Sequence, residues 1–152
     1  MIAHRLDQLG IVLPPVFPPA GSYVSCVVDE NIVYVGGHGP VNGGQMICGK
    51  VGSTVTLAQG QVAARMTALS ILATLQAELG SLDRIERILK VFGMVNVAPG
   101  FNQTPAVING CSDLLIDVFG ERGRHTRSAV GLAELPFDIA VEIELTARIR
   151  PL

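Results

Sequence analysis

Two charged side chains late in the chain have the type and spacing for chemistry on a small polar molecule. From Ile139 to Arg148 the residues alternate strictly. Ile139, Val141, Ile143, Leu145 and Ala147 fall on one side, and Ala140, Glu142, Glu144, Thr146 and Arg148 on the other. A strand with one side in a core therefore presents Glu142 and Glu144 on its opposite side. Such a pair reads either as a solvated strand face or as a carboxylate held near a subunit boundary and usable as a general base. Arg127 stands in His125-Thr126-Arg127-Ser128, where a charged loop enters another strand. A guanidinium there can grip a carboxylate with two parallel hydrogen bonds, a geometry lysine lacks. The alternative is a surface arginine paired with Glu121 or Glu134, where an ion pair contributes about 0–1 kcal/mol.

Other chemistries find less support. His38 and His125 are solitary and lack metal-ligand spacing. There is no Gly-x-Ser-x-Gly segment. Cys26, Cys48 and Cys111 fit no paired-cysteine motif and read as free thiols of a reducing compartment. The glycine-dense stretch from Gly36 to Gly44 is not followed by the Gly-Lys-Ser/Thr of a phosphate loop, so it reads as hairpin loops.

The elements that must position these groups follow from periodicity. Residues 13–20, Leu-Pro-Pro-Val-Phe-Pro-Pro-Ala, form an extended lead-in, because paired prolines join neither helix nor central strand. Tyr23–Asp29 and Ile32–Gly36 read as strands joined by a turn at Asp29-Glu30-Asn31. Ser53 or Thr54 would cap a long helix. Its apolar stripe is Val55, Ala58, Val62, Met66, Leu69, Leu72, Leu75 and Leu79, in steps of three and four, with Gly80 as the stop. A strand centred on Ile88–Val97 comes next. A second helix after Pro105 carries Val107, Cys111, Leu114, Leu115 and Val118 on one face and closes at Gly120. Gly120 to Thr126 is a charged loop, and Ser128–Ala133 and Ile139–Ile149 are the last strands. This order, ββ–α–β–α–ββ, predicts an α+β domain over residues 1–152 with a mixed sheet covered by two helices on one face.

Composition narrows the partners. Of 152 residues 49% are hydrophobic and 16% charged, which excludes disorder as the main state. The formal net charge of −2 leaves no basic surplus for a run of phosphates, so nucleic-acid binding is disfavoured. The mean hydropathy of +0.45 predicts apolar surface buried between subunits. Met1 to Gly10 holds His4, Arg5 and Asp7 and no apolar run of the kind a secretory signal needs. The apolar stretch Val55–Leu79 is broken by Gln59, Gln61, Arg65, Gln76 and Glu78 and is too polar to span a bilayer. A cytoplasmic protein without membrane contact is the expectation.

Taken together, Gly21-Ser22-Tyr23, Arg127-Ser128, Leu135-Pro136 and Val141-Glu142-Ile143-Glu144 resemble the Rid/YjgF family, also known as endoribonuclease L-PSP. The likeness runs from about Ala20 to Arg148. The segments Gly93-Met94-Val95-Asn96, Gly110–Leu115 and Arg124–Gly131 look like a divergent branch of it. The resemblance implies a chorismate-mutase-like fold and a homotrimer with a barrel-like core of sheets and three clefts between neighbouring subunits. It implies that Arg127 binds a substrate carboxylate, that Glu142 orients the attacking water, and that Tyr23 lines the cleft. Gly37, His38 and Asn109 match further binding positions. Where the family usually has Pro-Ala before the arginine, this chain has His125-Thr126. Ala129 replaces a frequent cysteine, and Gly36-Gly37-His38 stands for Ser-Gly-Gln. The implied activity is hydrolytic deamination of small imines or enamines derived from amino acids, giving a 2-oxo acid and ammonia, with no metal or organic cofactor. The alternative is a trimer that binds a small carboxylate without turnover. RNA cleavage fits least, with 5% aromatics and no basic stripe.

Overall fold

The computed structural model describes residues 1–151. The long amphipathic segment forms α2 (Leu57–Leu79), preceded by a short α1 (Ile2–Gln8). The cap of α2 is Thr56, not Ser53 or Thr54. The Gln59 amide donates to Thr56 Oγ1 (3.1 Å), and the Thr56 amide donates to Gln59 Oε1 (2.8 Å). This reciprocal box satisfies two of the helix's otherwise orphaned donors. At its other end Gly80 takes φ 75°, a left-handed conformation that glycine adopts without strain. The second helix, α3, runs from Thr104 to Phe119. It buries Val107, Cys111, Leu114, Leu115 and Val118, as the periodicity predicts.

The strands are β1 (Cys26–Asp29), β2 (Ile32–His38), β3 (Val41–Asn42), β4 (Gln45–Met46), β5 (Ile85–Asn96), β6 (Thr126–Leu132) and β7 (Val141–Ile149). Strands β3 and β4 make a small hairpin. The other five form one sheet in the order β1-β2-β7-β5-β6, in which β5 and β6 are parallel and every other neighbouring pair is antiparallel. Two further sequence expectations are corrected. Tyr23 precedes β1 and does not begin it. Gly36-Gly37-His38 is not loop: β2 runs through it, with a register shift between Val35 and His38 where it pairs with β7.

Both helices cover one side of the sheet. Val33 and Val35 of β2, Val91 and Val95 of β5, and Ile143 and Leu145 of β7 pack there against Ile71, Leu72 and Leu75 of α2 and Ile108, Leu114 and Leu115 of α3. All three cysteines are free; Cys111 lies in this core, where burial pushes its thiol up to about 12. The other side carries Tyr34, Glu142, Glu144, Phe92 and Val130; among the described residues no helix covers it as α2 and α3 cover the first, and a small cluster of Leu132, Leu135 and Ile139 packs there with Met94 and Phe92. No helix among the described residues is long and apolar enough to cross a membrane.

Candidate functional site

Glu142 projects from the uncovered side of the sheet, as the alternation of β7 predicts: Val141, Ile143 and Leu145 are buried and Glu142 is half-buried. Its carboxylate enters a cavity of about 460 Å³ at the end of β2. The walls come from four places: Phe17 to Tyr23 of the lead-in, the β2 residues Gly37 and His38, the β3–β4 hairpin, and the turn Pro136-Phe137 before β7. Gly37 makes the approach possible. A Cβ at that position would overlap Glu142 Oε2 and stand 2.9 Å from its Cδ. Partial burial raises the proton affinity of Glu142, and the neighbouring Glu144 adds to the effect. A carboxylate in this setting is a stronger base than one in water.

His38 adjoins this cavity but is committed to the core. Its Nδ1 hydrogen-bonds the Gly36 carbonyl (2.8 Å) and its Nε2 meets Thr74 Oγ1 of α2 (2.9 Å). With Nδ1 as donor, Nε2 accepts from the threonine, which is the neutral tautomer. Burial holds its pKa below the usual histidine value, in agreement. Tyr23 reaches the cavity with its ring, and its hydroxyl accepts from the Ala20 amide (3.1 Å), which folds the end of the lead-in into a wall.

The turn before β7 is held by a polar clamp. Asn96 Nδ2 donates to Asp138 Oδ1 (2.9 Å) and to the Ile139 carbonyl (3.2 Å). Lys50 donates to Asn96 Oδ1 (2.9 Å) and to the Ala133 carbonyl, and pairs with Glu134 at 3.5 Å. Phe137 and Asp138 both have positive φ (57° and 56°), conformations costly for such residues and held here by these bonds.

Arg127 lies elsewhere. It pairs across β5 with Val91, a core residue, so it faces the helix-covered side. One guanidinium nitrogen donates to Ser112 Oγ (3.0 Å) and another to the Pro105 carbonyl (3.0 Å), both on α3. Ser112 Oγ also meets His125 Nε2 (3.0 Å), and His125 Nδ1 bonds the Gly123 carbonyl. The polarity is consistent throughout: Arg127 donates to Ser112, Ser112 to His125, and His125 to Gly123. Burial, opposed by the Gly123 bond and helped by the Arg127 charge, keeps His125 below its usual pKa. Neither surface acid expected as an alternative partner holds Arg127, since Glu121 pairs with Arg124 and Glu134 with Lys50.

Within one chain, then, Glu142, Tyr23, Gly37 and His38 come together, whereas Arg127 does not line their cavity. Asn109 is exposed on α3, on the stripe between Pro105 and Ser112, and so belongs with Arg127. Sequence reasoning missed Ser112, Asn96 and Phe137. The polar stripe Pro105, Asn109, Ser112 at steps of four and three was the available signal for the first.

A sheet of this order with two helices on one side, and with an acid on the last strand opening into a cavity, defines a class. The model of the family described as "YjgF/chorismate mutase-like, putative endoribonuclease" matches residues 3–148. The chain belongs to that family. It is 45% identical over 145 residues to Protein TCP17 of Trypanosoma cruzi, covering 94% of this chain and 91% of that protein. The crystal structure of Atu1372 from Agrobacterium tumefaciens, a protein described as of unknown function, superposes with a TM-score of 0.91 at 41% identity, covering 98% of this chain and 92% of that one. The structure of E. coli TdcF with bound serine matches less closely, at TM-score 0.63 and 25% identity, covering 91% and 94%.

Proposed function

We propose that this chain is a hydrolytic deaminase of small imines or enamines derived from amino acids. The observation that carries the reading is Glu142: a half-buried carboxylate of raised proton affinity, in a cavity large enough for a small metabolite, given room by Gly37. Glu142 takes a proton from a water as its oxygen attacks the imine carbon. It returns that proton to nitrogen, giving a carbinolamine; Glu142 then moves the hydroxyl proton to the amino nitrogen as the C=O bond forms and the C–N bond breaks, releasing ammonia and leaving a 2-oxo acid. The step calls on no metal or organic cofactor, because an imine carbon is already electrophilic and positioning supplies much of the rate.

Arg127 is assigned to the substrate carboxylate. It faces the opposite side of its own sheet from Glu142, so the two groups meet only if they come from different protomers. A homotrimer with the uncovered sheet faces turned inward and clefts between neighbours is the assembly proposed, and the apolar residues on that face, Tyr34, Phe92 and Val130, support it. That TdcF binds serine supports a small amino-acid-like ligand. Cytoplasm is the compartment proposed, in keeping with three free thiols. A second reading, binding of a small carboxylate without turnover, is favoured by His125, Gly36 and Ala129, where the site is altered around a retained arginine.

The test is ammonia release from enzymatically generated 2-iminopropionate, comparing the wild type with Arg127→Ala, alongside sedimentation to fix the oligomeric state. A rate above background that falls tenfold or more in the variant supports the assignment. Equal rates remove the arginine's role. No release by either protein, with 2-oxo acids still shifting Tm, leaves the binding reading.

A further inference from the structure

The cavity around Glu142 is unlike one built for the smallest imines. Among the described residues, Glu142 is the only charged side chain that lines it. Around the carboxylate stand large apolar groups: Phe17 and Tyr23 from the lead-in, Met46 from the hairpin, Ile139 and Phe137 from the clamped turn. Phe17, Tyr23, Met46 and Phe137 remain 43%, 53%, 38% and 71% exposed in the single chain. These groups are held in place. Tyr23 is pinned through Ala20, and Phe137 sits in a left-handed turn fastened by Asn96 through Asp138. Exposed aromatic side chains gathered at one cavity mouth have no role in the chain's own core, since none belongs to a buried cluster.

We infer that the preferred substrates are imines of amino acids with bulky apolar side chains, branched aliphatic or aromatic, and that the apolar rim is their side-chain subsite. The inference rests on the deaminase reading for the position of the reacting carbon beside Glu142. With that carbon in place and the carboxylate directed to an arginine, the remaining substituent has only the cavity wall to lie against. An apolar substituent gains by leaving water there, roughly fourfold in binding per buried methylene. An acidic substituent is repelled by Glu142 and meets no cation lining the cavity.

The experiment has two arms, so that the two readings fail separately. Calorimetric titration of the protein with pyruvate, 4-methyl-2-oxopentanoate, phenylpyruvate and 2-oxoglutarate, the stable product acids, reads side-chain preference without turnover. Ammonia release from the imines of alanine, leucine, phenylalanine and glutamate, made by amino-acid oxidation or dehydrogenation, reads the reaction. The expected result is binding of the branched and aromatic acids at least tenfold tighter than pyruvate, with 2-oxoglutarate weakest and kcat/KM in the same order. Phe137→Ala and Met46→Ala, both at exposed positions, are expected to erase most of the leucine-over-alanine preference in kcat/KM and in product-acid binding. Apolar preference in binding with no ammonia release supports the subsite and overturns the deaminase reading. Flat binding across the four acids, binding of none, or preference for pyruvate or 2-oxoglutarate overturns the subsite.

Discussion

The acid end and the cation end of the candidate site are built by opposite means. Around Glu142 the chain removes material. Gly37 lacks a side chain, β2 shifts register beside it, and the carboxylate hangs in an apolar cavity where burial, and after it the neighbouring Glu144, raises its proton affinity. Around Arg127 the chain adds partners. Ser112, Pro105, His125 and Gly123 form a line of hydrogen bonds that holds the guanidinium on α3. The difference suits the tasks proposed for the two groups. A base gains strength when its charged form is poorly solvated, whereas a permanent cation gains aim when its donors are partly engaged and its rotamer is fixed.

Four measurements can break or sharpen that contrast. Glu142→Gln should lower the deamination rate by about 10²–10⁴, with stability at neutral pH unchanged or slightly raised, since it removes a charge that burial disfavours. In the wild type the acid limb of kcat/KM should lie above the ordinary glutamate value of 4.5; a limb at or below it would deny the cavity its effect. Gly37→Ala should cost about 10² in kcat by displacing the carboxylate. Gly36→Ala is the matched control, because its Cβ would find only the Ser25 carbonyl at 3.7 Å. Equal losses from the two would mean that strand geometry, not clearance for Glu142, sets the requirement. Ser112→Ala should weaken 2-oxo acid binding severalfold and lower stability by about 1 kcal/mol, without moving the acid limb. A shifted limb would couple the two ends.

The smallest effect concerns His38, which borders the acid end yet serves the core. Its pKa is depressed on folding. The neutral form is thus favoured in the native state, and the stability it contributes is present above about 6.5 and lost as pH falls through the folded value. His38→Gln should lower Tm at pH 7.5 yet flatten the decline of Tm between pH 6.5 and 5, as scanning calorimetry would show. A decline as steep as in the wild type would assign it to other groups.

What the sequence revealed depended on how periodic each element is. The stripe of α2 and the alternation of β7 declared themselves, and with them the side of the sheet on which Glu142 lies. Gly36-Gly37 reads as a loop by composition, but pairing to β7 keeps it in a strand, because a bulge accepts glycine where regular pleating disfavours it. The seven-residue α1 offers only Ile2 and Leu6 as buried positions and has no capping side chain, too little for a pattern. The box Thr56-x-x-Gln59 was legible and marks the true start of α2. Arg127 could be found but not oriented. In Thr126-Arg127-Ser128-Ala129 only Ala129 hints at the core side, so the separation of Arg127 from Glu142 became visible only in the register of β6 on β5.

The order of the strands has a bearing on how this chain comes into being. The strand β7 follows all the others in the chain, yet it occupies the middle of the sheet, bridging β2 to β5. Until it has left the ribosome the two flanks have no shared backbone ladder, and Glu142 has no cavity to enter. The sheet therefore closes only when its last strand inserts between the β1–β2 and β5–β6 pairs, whose helices α2 and α3 already pack on one another. A chain truncated before Val141 would leave two strand pairs with no backbone ladder between them.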